Sequence, residues 1–99
     1  MDDFTKDLMK FIAEAEKLGC RMGKLKKDAS QYGGVATAKE YLRKDRISDE
    51  FDRLAAQGAL KWSMEALVVK GKYGALFTDE EVNRCFERLC DAGFYTVTR

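Results

Sequence analysis

The stretch WSMEALVVKGKYGALFTDEE, residues 62–81, is the densest apolar run in the chain, and a carboxylate, Glu65, sits inside it. A glutamate in such a place could act as a general acid, provided burial raised its pKa and a base or nucleophile stood at a defined distance. No second group of that kind is evident in the sequence. Ser63 suits a helix N-cap, and Glu65 then falls in the first turn, where negative charge favours the helix dipole. That position accounts for Glu65 without chemistry, and the residues name no catalytic group.

Other combinations are weaker still. Histidine is absent, which removes the usual general base, the Ser/His and Cys/His pairs and the commonest metal ligand together. Cys85 and Cys90 lie about 140° apart around a helix axis and do not converge on one ion. Cys20, beside Arg21, reads as an ordinary reduced thiol, and three cysteines without CxxC spacing predict neither a disulfide framework nor zinc. Asp79, Glu80 and Glu81 are consecutive, so they fan around a helix instead of facing one cation. GKYG, residues 71–74, lacks the pattern of a phosphate loop and reads as a turn with Lys72 and Tyr73 exposed. No metal and no cofactor is expected.

Charge offers more. The net charge is only +1, yet residues 17–46 hold nine basic and three acidic side chains, leaving the rest of the chain acidic. Lys39, Arg43 and Arg46 recur at i, i+4 and i+7 and share one helix face; Lys24 and Lys27 share another, and Lys44 extends the set. Such faces suit an acidic protein surface or phosphates, although DNA binders generally concentrate more charge. Trp62, the single tryptophan, adds a large amphipathic side chain of the kind that anchors interfaces or fills a core. Lys24, Lys27, Lys39, Arg43, Lys44, Arg46 and Trp62 are therefore the candidate binding residues.

The elements that must carry them are helical. Phe4, Leu8, Phe11, Ala15 and Leu18 alternate in spacings of four and three, which predicts a helix over about 3–18, closed by Gly19. Met22, Leu25, Ala29 and Tyr32 line a second helix that ends at Gly33-Gly34. Val35, Ala38, Tyr41 and Leu42 mark a third, held beside the second by the short loop. Ser48 or Asp49 caps a fourth with Phe51, Leu54 and Ala55 inward. Leu60, Trp62 and Met64 alternate as in a strand, but Met64, Leu67 and Val68 fit i, i+3, i+4, which predicts a short helix over 63–70. Thr78 and Glu81 have capping-box spacing for a last helix facing inward with Val82, Cys85, Phe86 and Leu89, ended by Gly93 with Phe94 folded back on Leu89. The tail YTVTR reads as irregular.

The fold class is thus all-α: one domain over 1–99, a compact bundle of about six helices, several of them short. A composition that is 45% apolar and 35% charged supports a modest packed core. No apolar run is long enough to span a membrane, and MDDFTKD lacks the features of a secretory signal, so a cytoplasmic location without membrane association is expected. The short apolar stripe of the first helix allows a monomer or a small homo-oligomer.

The segments EKLGCRMGKL, GGVATAKEYL, SDEFDRLAAQGALKWSMEALVV and ALFTDEEVNRCFERL, with a closing AGFY, resemble a family of short bacterial helical proteins of clostridial and mobile-element type without an established function. The resemblance covers about residues 4–95, and it supports the fold more than the function. Similar segments stand beside DNA-processing or restriction-type proteins, which implies an accessory or inhibitory role toward such an enzyme. Family members carry RLDLTVE where this chain has ALKWSME, so a basic and an acidic residue are lost and Trp62 is gained. The resemblance implies no catalytic residue. The expected function is a non-catalytic helical module docking on a protein partner; the alternative is direct DNA or RNA binding through the basic helices at 22–46.

Overall fold

A computed structural model describes residues 2–44 and 48–94, and among them six α-helices and two single 3₁₀ turns form with no strand. The helices are α1 (Asp3–Lys17), α2 (Gly23–Tyr32), α3 (Gly34–Arg43), α4 (Asp49–Ala56), α5 (Met64–Val69) and α6 (Asp79–Asp91). One 3₁₀ turn, Leu60–Trp62, leads into α5; the other, Gly74–Leu76, leads toward α6. The alternation at Leu60, Trp62 and Met64 therefore belongs to a tight turn entering a helix.

Side-chain caps set most of the starts. Asp2 accepts from the Thr5 amide, Ser48 from Phe51 and Ser63 from Ala66, while Thr78 and Glu81 form a reciprocal capping box. α2 differs, because Met22 at its N-cap offers no acceptor. The carboxylate of Glu50, buried on α4, takes over by accepting from the Leu25 amide at 3.1 Å. A charge from one helix thus satisfies an orphan donor at the start of another.

α1 is the central support, packing on α2, α3, α5 and the turn before α5, while α2 pairs with α3 and α5 with α6. Phe4, Leu8, Ile12, Met22, Leu42, Leu54, Val68 and Leu89 are fully enclosed in one contiguous core. Gly33 has φ +87°, which lets α2 end and α3 begin within one residue. Gly34 meets a different demand: a Cβ there would lie 2.9 Å from Thr5 Oγ1 and 3.0 Å from Thr5 Cα. Its amide donates to Thr5 Oγ1 at 2.8 Å, and that hydroxyl donates to Asp2 at 2.8 Å, so the starts of α1 and α3 are joined directly.

Several inward assignments need correction. Leu18 is 51% exposed because α1 stops at Lys17 and the chain turns through Gly19. Tyr32, the last residue of α2, is 64% exposed. On α6, Phe86 is 49% exposed, and the inward positions are Cys85, Arg88 and Leu89. Tyr73 is buried, with its ring edge-on to Phe4 and its hydroxyl donating to Asp7 and to the Asp3 carbonyl, so the GKYG segment clasps α1. The YTVTR tail and Arg46 lie outside the described residues. Among the described residues, no helix is long and apolar enough to cross a membrane.

Candidate docking surfaces

The cations singled out on α2 and α3 fall into two groups. Lys24 and Lys27 are exposed one turn apart on α2, and neither has an ion pair with a described residue. Lys39 is held at 2.7 Å by Glu81 of α6 and stands 5.2 Å over the Phe77 ring. Burial opposes ionisation of Glu81, yet hydrogen bonds from Lys39 and from the Thr78 amide together hold its carboxyl below the ordinary value. Arg43 makes two bonds to Glu40, at 2.6 and 3.2 Å. Lys44 lies 6.0 Å over the Tyr41 ring.

The α3 face of Lys39 and Arg43 is therefore largely neutralised. These two side chains, with Glu40, Glu81 and Arg84, line a groove of about 520 Å³ between α3 and α6. Its positive charge is divided among carboxylates instead of being presented as a block.

Trp62 stands elsewhere, on the turn before α5. It is partly buried, and its ring meets Phe11 of α1 edge-on at 5.3 Å between centroids. Lys61 lies 5.4 Å over the indole, and Lys70 lies 4.8 Å over Phe11. Both lysines are exposed, and neither pairs with a carboxylate among the described residues. Together with Ala66 and Phe94 they line a groove of about 190 Å³. Trp62 thus packs on the core through Phe11 and also borders a recess rimmed by two lysines. The lysines that flank it were not singled out from sequence, because they lie outside the basic segment 17–46.

Glu65 is buried, with its side chain 4% exposed, and its partner is Arg88 of α6 at 3.3 Å. Arg88 also donates to the carbonyls of Tyr41, at 3.4 Å, and Lys44, at 2.9 Å; Arg84 donates to Leu42 at 2.6 Å. The end of α3 is capped by two arginines one turn apart on α6. Burial pushes the Glu65 carboxyl above its ordinary value against the opposing pull of Arg88, and nearby Glu50 adds to the rise. The space beside it, bordered by Tyr41, Glu50 and Ser63, is only about 10 Å³, at the threshold for one water. Tyr41, whose hydroxyl donates to Asp28 at 2.8 Å, is pushed upward by burial and by that carboxylate. Glu65 and Arg88 thus link α5 and α6 to the end of α3.

A signal for this pair does exist in the sequence. Arg88 lies at i+3 from Cys85 and beside Leu89, and Glu65 lies between Met64 and Ala66, so two opposite charges interrupt two apolar faces. The cysteines are free, Cys20 and Cys85 buried and Cys90 partly so, and burial raises the Cys85 thiol. Among the described residues, no group of three or more potential ligands is placed to hold a metal ion.

No family model, curated protein or solved structure matches this chain.

Proposed function

We propose that this chain is a non-catalytic helical module that docks on a protein partner, as an accessory subunit or inhibitor of a DNA-processing or defence enzyme. The observation that carries the reading is the recess at Trp62, where a large aromatic lies between two lysines that have no carboxylate partner among the described residues. Interfaces favour aromatic anchors with charge at the rim, and complementary charge steers the encounter. The way Glu65 is used agrees with this, since its carboxylate meets Arg88 across a helix junction. Direct nucleic-acid binding is the second reading, supported by Lys24 and Lys27, which have no ion pair among the described residues, but weakened by the carboxylates on Lys39 and Arg43.

The test has two arms. A partner recovered by crosslinking from native cells is purified and recombined with this chain, and a binary complex of defined stoichiometry is expected. Binding to duplex and single-stranded DNA is then measured at two salt concentrations. Affinity for DNA that falls steeply with salt and disappears on neutralising Lys24 and Lys27 would replace the docking reading with the nucleic-acid one.

A further inference from the structure

From the recess at Trp62 we infer that the partner presents an acidic segment carrying one large apolar side chain, which seats between Lys61 and Lys70 against Trp62 and Ala66. This deepens the docking reading and rests on it. The volume, about 190 Å³, lies below the roughly 300–1,000 Å³ typical of sites that enclose small molecules, and it suits a single side chain. The floor is Ala66 of α5, buried with no bulk of its own, four residues before Lys70 at the C-cap of that helix. Its walls are aromatic, so the seated group is apolar.

The rim fixes the charge of the occupant. Lys61 and Lys70 rest over the faces of Trp62 and Phe11, at 5.4 and 4.8 Å, where the ring quadrupole holds a cation without neutralising it. Both ammonium groups can therefore meet carboxylates without breaking an ion pair among the described residues. Elsewhere Lys39, Arg43 and Lys72 each have a carboxylate of this chain within ion-pair distance. Like the Lys24–Lys27 face, the recess presents charge that no described carboxylate neutralises, and it adds an aromatic wall. A nucleic acid fits less well: Lys61 already covers the indole, so a base could stack there only by displacing it, and two lysines neutralise few phosphates.

Because Trp62 is the single tryptophan, its fluorescence reports on this recess alone. The full chain is titrated with three probes: a peptide of about nine residues with a central phenylalanine flanked by glutamates, the same peptide with alanine at the centre, and an oligo-thymidine strand. A saturable change is expected with the first and a weaker one with the second. Lys61→Glu together with Lys70→Glu, both at exposed positions, is expected to weaken binding of the first peptide about tenfold while the circular dichroism stays unchanged. An absent response to the acidic peptide, a response indifferent to the lysine reversals, or tighter binding of oligo-thymidine overturns the inference. The two readings separate in the recombined complex. If that complex forms and its Kd ignores the reversals, docking stands and the assignment to this recess falls; if no binary complex forms, docking itself fails.

Discussion

Replacing Arg88 by methionine tests whether the buried pair is a lock between helices or merely a contact. The Glu65 side chain is 4% exposed, so losing Arg88 leaves a carboxylate enclosed without its counter-charge. Breaking a buried pair in this way costs about 3–5 kcal/mol. Glu65→Gln removes the other charge and should cost only about 1–2 kcal/mol, because Arg88 keeps the Tyr41 and Lys44 carbonyls as acceptors and the amide oxygen can still receive a bond. The double variant loses those two carbonyl bonds but buries no orphan charge, so its cost should be about 2–3 kcal/mol. The second substitution therefore rescues the first. Stability also depends on pH with a definite sign. The folded chain holds the Glu65 proton more tightly than the unfolded chain, so the contribution of Glu65 is most favourable below the unfolded value, near 4.5, and is lost as pH rises through the higher folded value. Without Arg88 the folded value climbs further, and the gap between wild type and Arg88→Met should widen as pH rises above the ordinary value of 4.5. Urea unfolding followed by circular dichroism measures all four proteins. Equal costs for the two single variants, or a gap that does not change with pH, would refute the lock.

Three further outcomes follow from particular atoms. Gly34→Ala should lose about 1–2 kcal/mol, since the added methyl meets Thr5 backbone at 3.0 Å and outweighs the usual helical preference for alanine; a rise in Tm would show that α1 and α3 do not approach so closely. Thr37 is buried with a hydroxyl that has no hydrogen-bond partner among the described residues, so Thr37→Val should leave stability unchanged or raise it by about 1 kcal/mol, whereas a loss of about 1 kcal/mol or more in urea unfolding would reveal a partner for the hydroxyl. Glu50→Ala removes the acceptor of the Leu25 amide and should cost about 1.5–3 kcal/mol, with faster amide exchange confined to the first turn of α2; uniform exchange throughout would contradict a local capping role.

The fold was largely legible because its signals are local. Apolar periodicity marked α1, α3 and α6, and caps at Ser48, Ser63 and Thr78 marked the starts of α4, α5 and α6 through contacts only three residues long. The errors fall where one residue must be assigned to a neighbour. Tyr32 and Leu18 continue an apolar spacing beyond the last packed turn, and spacing cannot tell where packing stops. Tyr73 looked exposed because a glycine-flanked turn usually is, but Asp7, 66 positions away, receives its hydroxyl. Glu50 and Arg88 were missed for the same reason: the groups they satisfy are the Leu25 amide and the α3 carbonyls, and backbone groups carry no residue signature. On the candidate surface, Trp62 was visible by type and Lys24 and Lys27 by spacing. The significance of Lys61 and Lys70 depends on which cations lack a carboxylate, a property of tertiary pairing alone.

That property also shows why counting charge along the chain misjudges a surface. Segment 17–46 has the large cationic excess, yet its α3 members meet Glu40 from their own helix and Glu81 from α6, while Lys61 and Lys70 come from a segment with no such excess. Field at a surface falls off within about a Debye length, near 8–10 Å at ordinary ionic strength, so a partner feels local pairing and not segment totals. A lysine 2.7 Å from a carboxylate presents little net charge beyond that distance, whereas one resting on a ring presents nearly its whole charge. Helix packing thus shifts the effective positive charge away from α3, leaving it at the Trp62 recess and on the Lys24–Lys27 face of α2. Neutralising Lys39 or Arg43 should accordingly change partner association less than neutralising Lys61 or Lys70, and the opposite ranking in stopped-flow association rates would return the docking surface to α3.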